Sequence, residues 1–208
     1  MKIEIWSDIM CPWCYIGKAR LAKALERLDG ADDVDVVWRS FELRPEQPRE
    51  PGATLGEMMR QRLGLAPDAA VDLFEKIAGL GRELGLDIRL TGVRPVNSFD
   101  AQRLVHLAAE EGLADVVKEE LFHAYLTENL NVADHEVLAD LAKHAGLDPA
   151  EVRRTLRGDA YAAEVRADES LAARRGVSGV PSFFVDGVPV GAGVPTVEEL
   201  HRALVRAR

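Results

Sequence analysis

The chain has 208 residues, 47% of them apolar and 29% charged, which is enough for one ordinary domain or a small domain carrying a large insertion, and too few for two full-length independent domains. Seventeen glycines and ten prolines within that balance exclude collagen-like, wholly disordered and disulfide-scaffold chains. A formal charge of −9, from 35 acidic against 26 basic side chains, would repel a phosphate backbone, so nucleic acid is not an expected partner.

Lys2 to Ser7 alternates Ile3 and Ile5 with Lys2 and Glu4 and reads as a strand. Glu4 and Asp8 interrupt any secretory apolar run, so the expected location is cytoplasmic. A helix follows, with Ile16, Ala19, Leu21, Ala24, Leu25 and Leu28 at three- and four-residue spacing and Gly30 as its stop. Val34 to Phe41, rich in β-branched and aromatic residues, is the second strand. The proline-punctuated stretch from Arg44 to Gly52 can continue neither sheet nor helix.

From about Thr54 to about Arg175 the pattern is helical. Apolar stripes run through Leu73, Ile77, Leu80 and Leu84, then Leu104, Leu107 and Ala108, then Leu121, Phe122, Tyr125 and Leu126, with later ones at Val137 to Ala142 and at Val152 and Leu156. Asp134 caps one helix and Asp148-Pro149 opens the next, giving about six helices and no repeat. The longest uncharged stretches, Gly176 to Val185 and Gly187 to Val197, are too short to span a bilayer, so no membrane partner is expected. Asp186-Gly187 between two β-rich runs predicts a type I′ hairpin, and Pro189 places its strand at a sheet edge or bulge. Thr196, three residues before Glu199, opens a last helix with a capping box. The order is β-α-β, helical block, β-β-α.

The chain's two cysteines are Cys11 and Cys14. A Cys-x-x-Cys beside a β-α unit in an intracellular protein fits thioredoxin-like redox chemistry. Pro12 suits the first helical position and puts Cys11 at the N-cap, where its sulfur would face the N–H groups of Trp13 and Cys14. Negative charge is favoured there, so Cys11 is expected to ionise more readily than a free thiol and to act as a solvent-open nucleophile. Cys14 lies one turn along, placed to attack a mixed disulfide formed at Cys11. A pair of unreactive buried cysteines is the bland alternative. A metal site is not expected, because the five histidines lack finger spacing.

The blocks Trp6-Ser7-Asp8-Ile9-Met10-Cys11-Pro12-Trp13-Cys14-Tyr15-Ile16-Gly17, Trp38 to Leu43, Asn97 to Ala101 and Gly176 to Pro181 resemble the DsbA-like thioredoxin-fold family, in particular its FrnE-type branch. The resemblance implies an α/β, thioredoxin-like fold with a large α-helical insertion, residues 1–50 and 176–208 forming the thioredoxin-like domain and 51–175 the insert. It implies a thiol-disulfide oxidoreductase or isomerase with Cys11 and Cys14 catalytic. Pro12, Trp13, Val180 and Pro181 would support the site, Val180-Pro181 as a cis bond facing the cysteines, where backbone groups of Val180 can pair with an extended substrate. The other reading of Pro181 is a strand-start proline.

Partners would then be a disulfide-containing protein or small molecule and a thiol reductant. No cofactor is implied beyond the cysteine pair, with a low-molecular-weight thiol as potential co-substrate, and the residues favour neither monomer nor dimer.

Asn97 reads either as a polar site residue or as a helix N-cap, and the family often has Thr at Ser98 and His at Gln102. Asp8 either orders the turn before Cys11, relays protons, or caps a loop. Trp13 stands where strongly oxidising relatives carry an imidazole, and an indole adds no positive charge, so a less oxidising potential is expected. Met58 and Met59 with Leu55 and Leu63 read as helix packing or as a hydrophobic groove. Two competing functions are a glutathione-dependent isomerase or transferase of the kappa and hydroxychromene type, whose members typically carry Ser at the first cysteine, and a peptide-binding chaperone.

Overall fold

Strand β1 (Lys2–Ser7) runs through the middle of a four-stranded sheet of order β2-β1-β3-β4. Strand β2 (Asp35–Ser40) pairs with it in parallel, and β3 (Ser182–Val185) pairs antiparallel on its other side, so Ile5 sits between Trp38 and Phe183. The computed structural model describes residues 1–64, 66–191 and 193–208, and all side chains among them except those of Arg62, Leu63, Pro67 and Asp68. Strand β4 (Val188–Pro189) closes the hairpin at the sheet edge, where the missing N–H of Pro189 is harmless. Asp186 and Gly187 both take positive φ, +45° and +81°, as a type I′ turn requires.

One face of the sheet carries Ile3 and Ile5, packed in one core with Ile16 and Leu21 of helix α1 (Pro12–Leu25) and Leu200 and Leu204 of the C-terminal helix (Val197–Arg206). The opposite face is covered too, which alternation along β1 did not suggest. Trp6 packs edge-on against Phe184 at 5.2 Å and joins Ala172 in a second, smaller core. Glu4, which alternates with Ile3 and Ile5, is therefore 5% exposed. It is answered by Arg39 at 2.6 Å and Arg175 at 2.7 Å. Burial alone would raise its carboxyl, but the hydrogen bonds from Arg175 and Arg39 prevail and hold it at about 2.

Among the described residues, seven α-helices follow β2 before β3, where periodicity suggested about six: α2 (Leu55–Leu63), α3 (Pro67–Glu83), α4 (Phe99–Glu110), α5 (Ala114–Leu126), α6 (His135–His144), α7 (Pro149–Arg157) and α8 (Ala162–Arg174). Their starts are chemically marked. Thr54 and Glu57 form a capping box, Asp134 accepts from the N–H groups of Glu136 and Val137, and Asp148 accepts from Ala150. The C-terminal helix, α9, has the expected Thr196–Glu199 box. In α3 the stripe holds at Ile77, Leu80 and Leu84 and departs at its first member, since Phe74 is buried and Leu73 is 37% exposed. Met58 is buried and Met59 and Leu55 pack against the core, so they pack rather than line a groove; the Leu63 side chain lies outside the described residues.

Helix α5 docks the helical block onto the sheet domain. The Tyr15 ring of α1 stacks on Phe122 at 5.1 Å, and its hydroxyl donates to Glu119 at 2.6 Å. Lys18 of α1 reaches Asp115 at 3.0 Å and Glu119 at 2.8 Å, and the Trp38 indole donates to Asp115 at 3.2 Å. Helix α8 is tied to β2 by Asp168, which accepts from Arg39 and from the Ser40 N–H. Among the described residues no helix is long and apolar enough to cross a membrane.

Because the folded pKa of Glu4 lies below its unfolded value, its contribution is fully present above about pH 5 and is lost as pH falls toward 2. The expected loss is on the order of 2–3 kcal/mol. Urea unfolding of wild type and Glu4→Gln between pH 6 and pH 2.5 measures it; parallel pH curves for the two proteins would remove this role. A second expectation concerns Gly17, where an added Cβ would sit 3.1 Å from the Phe183 ring and 3.2 Å from Pro181 Cγ. Gly17→Val should cost roughly 2 kcal/mol by overpacking, read as a lower urea midpoint with unchanged m.

Candidate active site

The β1–α1 turn is built by Asp8. This residue is fully buried, and its two carboxylate oxygens accept from the Met10 N–H at 3.2 Å and the Leu43 N–H at 2.7 Å. Burial raises its carboxyl above the ordinary range, against the pull of those two N–H groups. The Asp8 carbonyl accepts from the Cys11 N–H at 3.1 Å, and Pro12 begins the helix at once. Of the three sequence readings of Asp8, the ordering of the turn is the one these contacts describe.

Cys11 is the N-cap of α1, in extended conformation at φ −94°. Its sulfur, however, makes no cap hydrogen bond. The Cys14 N–H is spent on the Cys11 carbonyl at 3.0 Å, and the Cys11 thiol donates instead to the Val180 carbonyl at 3.6 Å. The expected open nucleophile is thus corrected: Cys11 is 4% exposed, because the loop carrying Val180 lies against it. The Val180–Pro181 peptide bond is cis, and Trp13, Met10 and Val180 are half-buried and pack against the core that includes the two cysteines.

Both cysteines are free thiols. Cys14 is the deeper at 1% exposure. Burial pushes its thiol well above the usual range, and the neighbouring Cys11 pushes it further; the Asp8 backbone N–H only partly offsets this.

Behind the cysteines lies a polar layer that motif reading did not identify. Gln102 of α4 donates to the Ser7 carbonyl at 2.9 Å and the Phe41 carbonyl at 3.1 Å, clamping the ends of β1 and β2 together. Its amide oxygen accepts from Lys118 of α5 at 3.4 Å. The signal for Lys118 was present in the sequence, since it falls at helical spacing within the apolar stripe of Ala114, Val117, Leu121, Phe122 and Tyr125.

Cys11, Cys14, Pro12, Trp13, Asp8, Val180 and Pro181 are brought to one end of the sheet. Asn97 lies on the segment between β2 and α4. It precedes α4, where its side-chain oxygen accepts from the Phe99 N–H at 2.9 Å. Its amide donates to Glu42 at 3.2 Å and the Pro45 carbonyl at 3.0 Å, pinning the connector after β2. These contacts are those of an N-terminal cap, one residue earlier than the formal N-cap, Ser98.

A DSBA-like thioredoxin domain model matches residues 2–205. A probable DsbA oxidoreductase from Streptomyces coelicolor is 38% identical, with a TM-score of 0.94 over the whole of this chain and 89% of that one. The Bacillus subtilis protein YwbO is 27% identical over 203 residues, 96% of this chain and 94% of that protein. The cytosolic disulfide reductase DsbM from Pseudomonas aeruginosa shares the fold at a TM-score of 0.69 and 18% identity, over 99% of this chain and 98% of that one. With its four-stranded mixed sheet and helical insertion, the chain belongs to the DsbA-like thioredoxin domain family.

Proposed function

We propose that the protein is a thiol-disulfide oxidoreductase in which Cys11 attacks a substrate disulfide and Cys14 resolves the mixed disulfide. The observation that carries this reading is the unequal depth of two free thiols one helical turn apart. The outer one is held by a single carbonyl on a loop, and the inner one is sealed and kept protonated. A substrate sulfur reaches Cys11 when the 3.6 Å contact to Val180 opens, and the freed Val180 backbone then pairs with an extended substrate chain. The first step joins Cys11 Sγ to one substrate sulfur and releases the other as a thiol. In the second, Cys14 Sγ attacks Cys11 Sγ, and the bound substrate sulfur leaves as the Cys11–Cys14 disulfide forms.

The substrate class is a disulfide-containing protein or small molecule, regenerated by a thiol reductant such as a low-molecular-weight thiol. No other cofactor enters the scheme. A cytosolic setting suits it, because thiol pools there keep such a pair reduced and poised to reduce. Cysteine rather than serine at position 11 favours exchange over a glutathione-dependent isomerase or transferase.

Cys14→Ala should accumulate a mixed disulfide on Cys11, detected by intact-mass spectrometry after acid quenching. Cys11→Ala should accumulate none and lose turnover by at least ~100-fold. Trapping on Cys14 alone, or turnover that survives loss of both sulfurs, would overturn the mechanism. With limiting alkylating reagent, Cys11 should be modified before Cys14, in keeping with 4% against 1% exposure; equal labelling of the two would contradict it.

A further inference from the structure

The β3–β4 hairpin and α9 enclose a groove of about 550 Å³ that the exchange scheme does not use, a volume in the range of small-molecule sites. It lies away from the cysteines. Val185, the last residue of β3, forms part of it and pairs with Ile3 near the start of β1, whereas Cys11 follows the end of that strand. One wall is Val188, Pro189 and Val190. Val188 is 66% exposed, more than any other large apolar side chain among the described residues. The facing wall is one stripe of α9 and its C-cap, where Glu199, Arg202, Ala203, Arg206 and Ala207 fall at i, i+3, i+4, i+7 and i+8. The two alanines leave the space open, and the two arginines are exposed beside it.

The charges along the groove do not answer one another. Glu199 is spent on the capping box, accepting from the Thr196 N–H at 2.8 Å and the Thr196 hydroxyl at 2.9 Å, and Asp186 accepts from the Lys2 N–H at 2.7 Å. Arg202 and Arg206 form no side-chain hydrogen bond or ion pair among the described residues. Other arginines of this region do: Arg27 pairs with Glu198 at 3.0 Å, Arg20 donates to the Val194 carbonyl at 3.1 Å, and Arg208 to the Gly30 carbonyl at 2.9 Å. In a chain of formal charge −9, two guanidiniums one helical turn apart thus keep their N–H donors uncommitted beside an apolar wall.

An added β-strand does not suit the hairpin edge. Val188 pairs with Val185, and the Val190 N–H points inward to the Phe183 carbonyl at 2.9 Å. Pro189 is therefore the residue whose backbone faces outward, and it has no N–H to donate. The groove matches a different shape: an apolar body to cover Val188, Val190 and Ala203, joined to an anionic head whose oxygens the two guanidinium forks can take in pairs.

We propose that this groove binds small amphiphilic anions, an alkyl or aryl body ending in a carboxylate or phosphate, with Arg202 and Arg206 holding the head. The site is separate from the cysteine pair, so the proposal stands or falls apart from the exchange reading.

The test is an amide NMR titration of the whole chain with octanoate and with octyl phosphate, with inorganic phosphate and 1-octanol as the head and the body alone. At least one of the two amphiphiles should saturate with a Kd below about 1 mM, moving the amides of Val188, Val190, Ala203 and Ala207 most; the tighter of the two identifies the head. Inorganic phosphate and 1-octanol should each bind at least ~10-fold more weakly. Joint replacement Arg202→Gln and Arg206→Gln should weaken binding at least ~10-fold, and so should Val188→Asp, which sets a like charge on the facing wall. All three side chains are exposed, and disulfide-exchange turnover in these variants should stay within ~2-fold of wild type. No saturable shift at the groove, affinity that survives loss of both arginines, or inorganic phosphate binding as tightly as octyl phosphate would each overturn the proposal. The wild-type titration and its two controls decide alone should a variant fail to fold.

Discussion

The geometry of the cysteine turn depends on one buried carboxylate. Asp8 accepts from Met10 within its own turn and from Leu43 beyond the end of β2, so one side chain fixes both the start of α1 and its distance from the neighbouring strand. Burying that group raises its carboxyl, and an apolar side chain would leave the Met10 and Leu43 N–H groups without it as acceptor. The carboxylate is retained because backbone amides that cannot pair in the sheet need an acceptor at this corner. From that corner follow the N-cap position of Cys11, the immediate start of the helix at Pro12, and the burial of Cys14 one turn further on.

The difference between the two sulfurs comes from depth and hydrogen bonding together. They occupy one turn of one helix, yet the outer thiol meets a carbonyl on a loop and the inner thiol meets packed side chains. A loop contact can be exchanged for a substrate contact without disturbing the core, whereas exposing Cys14 would require parting α1 from its packing. On the proposed mechanism this orders the two steps: intermolecular attack falls to the residue whose partner is replaceable, and intramolecular attack to the residue whose surroundings are fixed.

Local chemistry made much of the fold legible. The β-α-β start, the Asp186-Gly187 turn, the edge position of Pro189 and the caps at Asp134, Asp148 and Thr196 each follow from a few adjacent residues, and each is where its residues require. The departures arise where distant chain segments decide. Glu4 alternates with Ile3 and Ile5, but α8, more than 150 residues away along the chain, roofs that face of the sheet and supplies Asp168 beside Arg39. Cys11 reads as open from its place at a helix start, but residue 180 folds over it. Lys118 interrupts an apolar stripe, and pattern alone cannot tell a buried charge from a local register error; the carbonyls that hold Gln102, and through it Lys118, come from β1 and the end of β2.

The first and third of these departures share a cause that bears on what the insertion is for. A lid that only shaped a groove would meet the sheet through apolar surfaces, as Phe122 does with Tyr15. The inserted helices instead bring polar groups inward where β1 and β2 end: Gln102 from α4, Lys118 from α5 and Asp168 from α8, all but sealed from water. Each carries a desolvation cost that packing does not require. Gln102 and Asp168 recover it in backbone hydrogen bonds that hold strand ends, and such bonds fix geometry. Lys118 recovers less, in one hydrogen bond to the Gln102 amide oxygen and two ring faces. The helical block thus supplies the polar groups that hold the ends of β1 and β2 beside the cysteine turn.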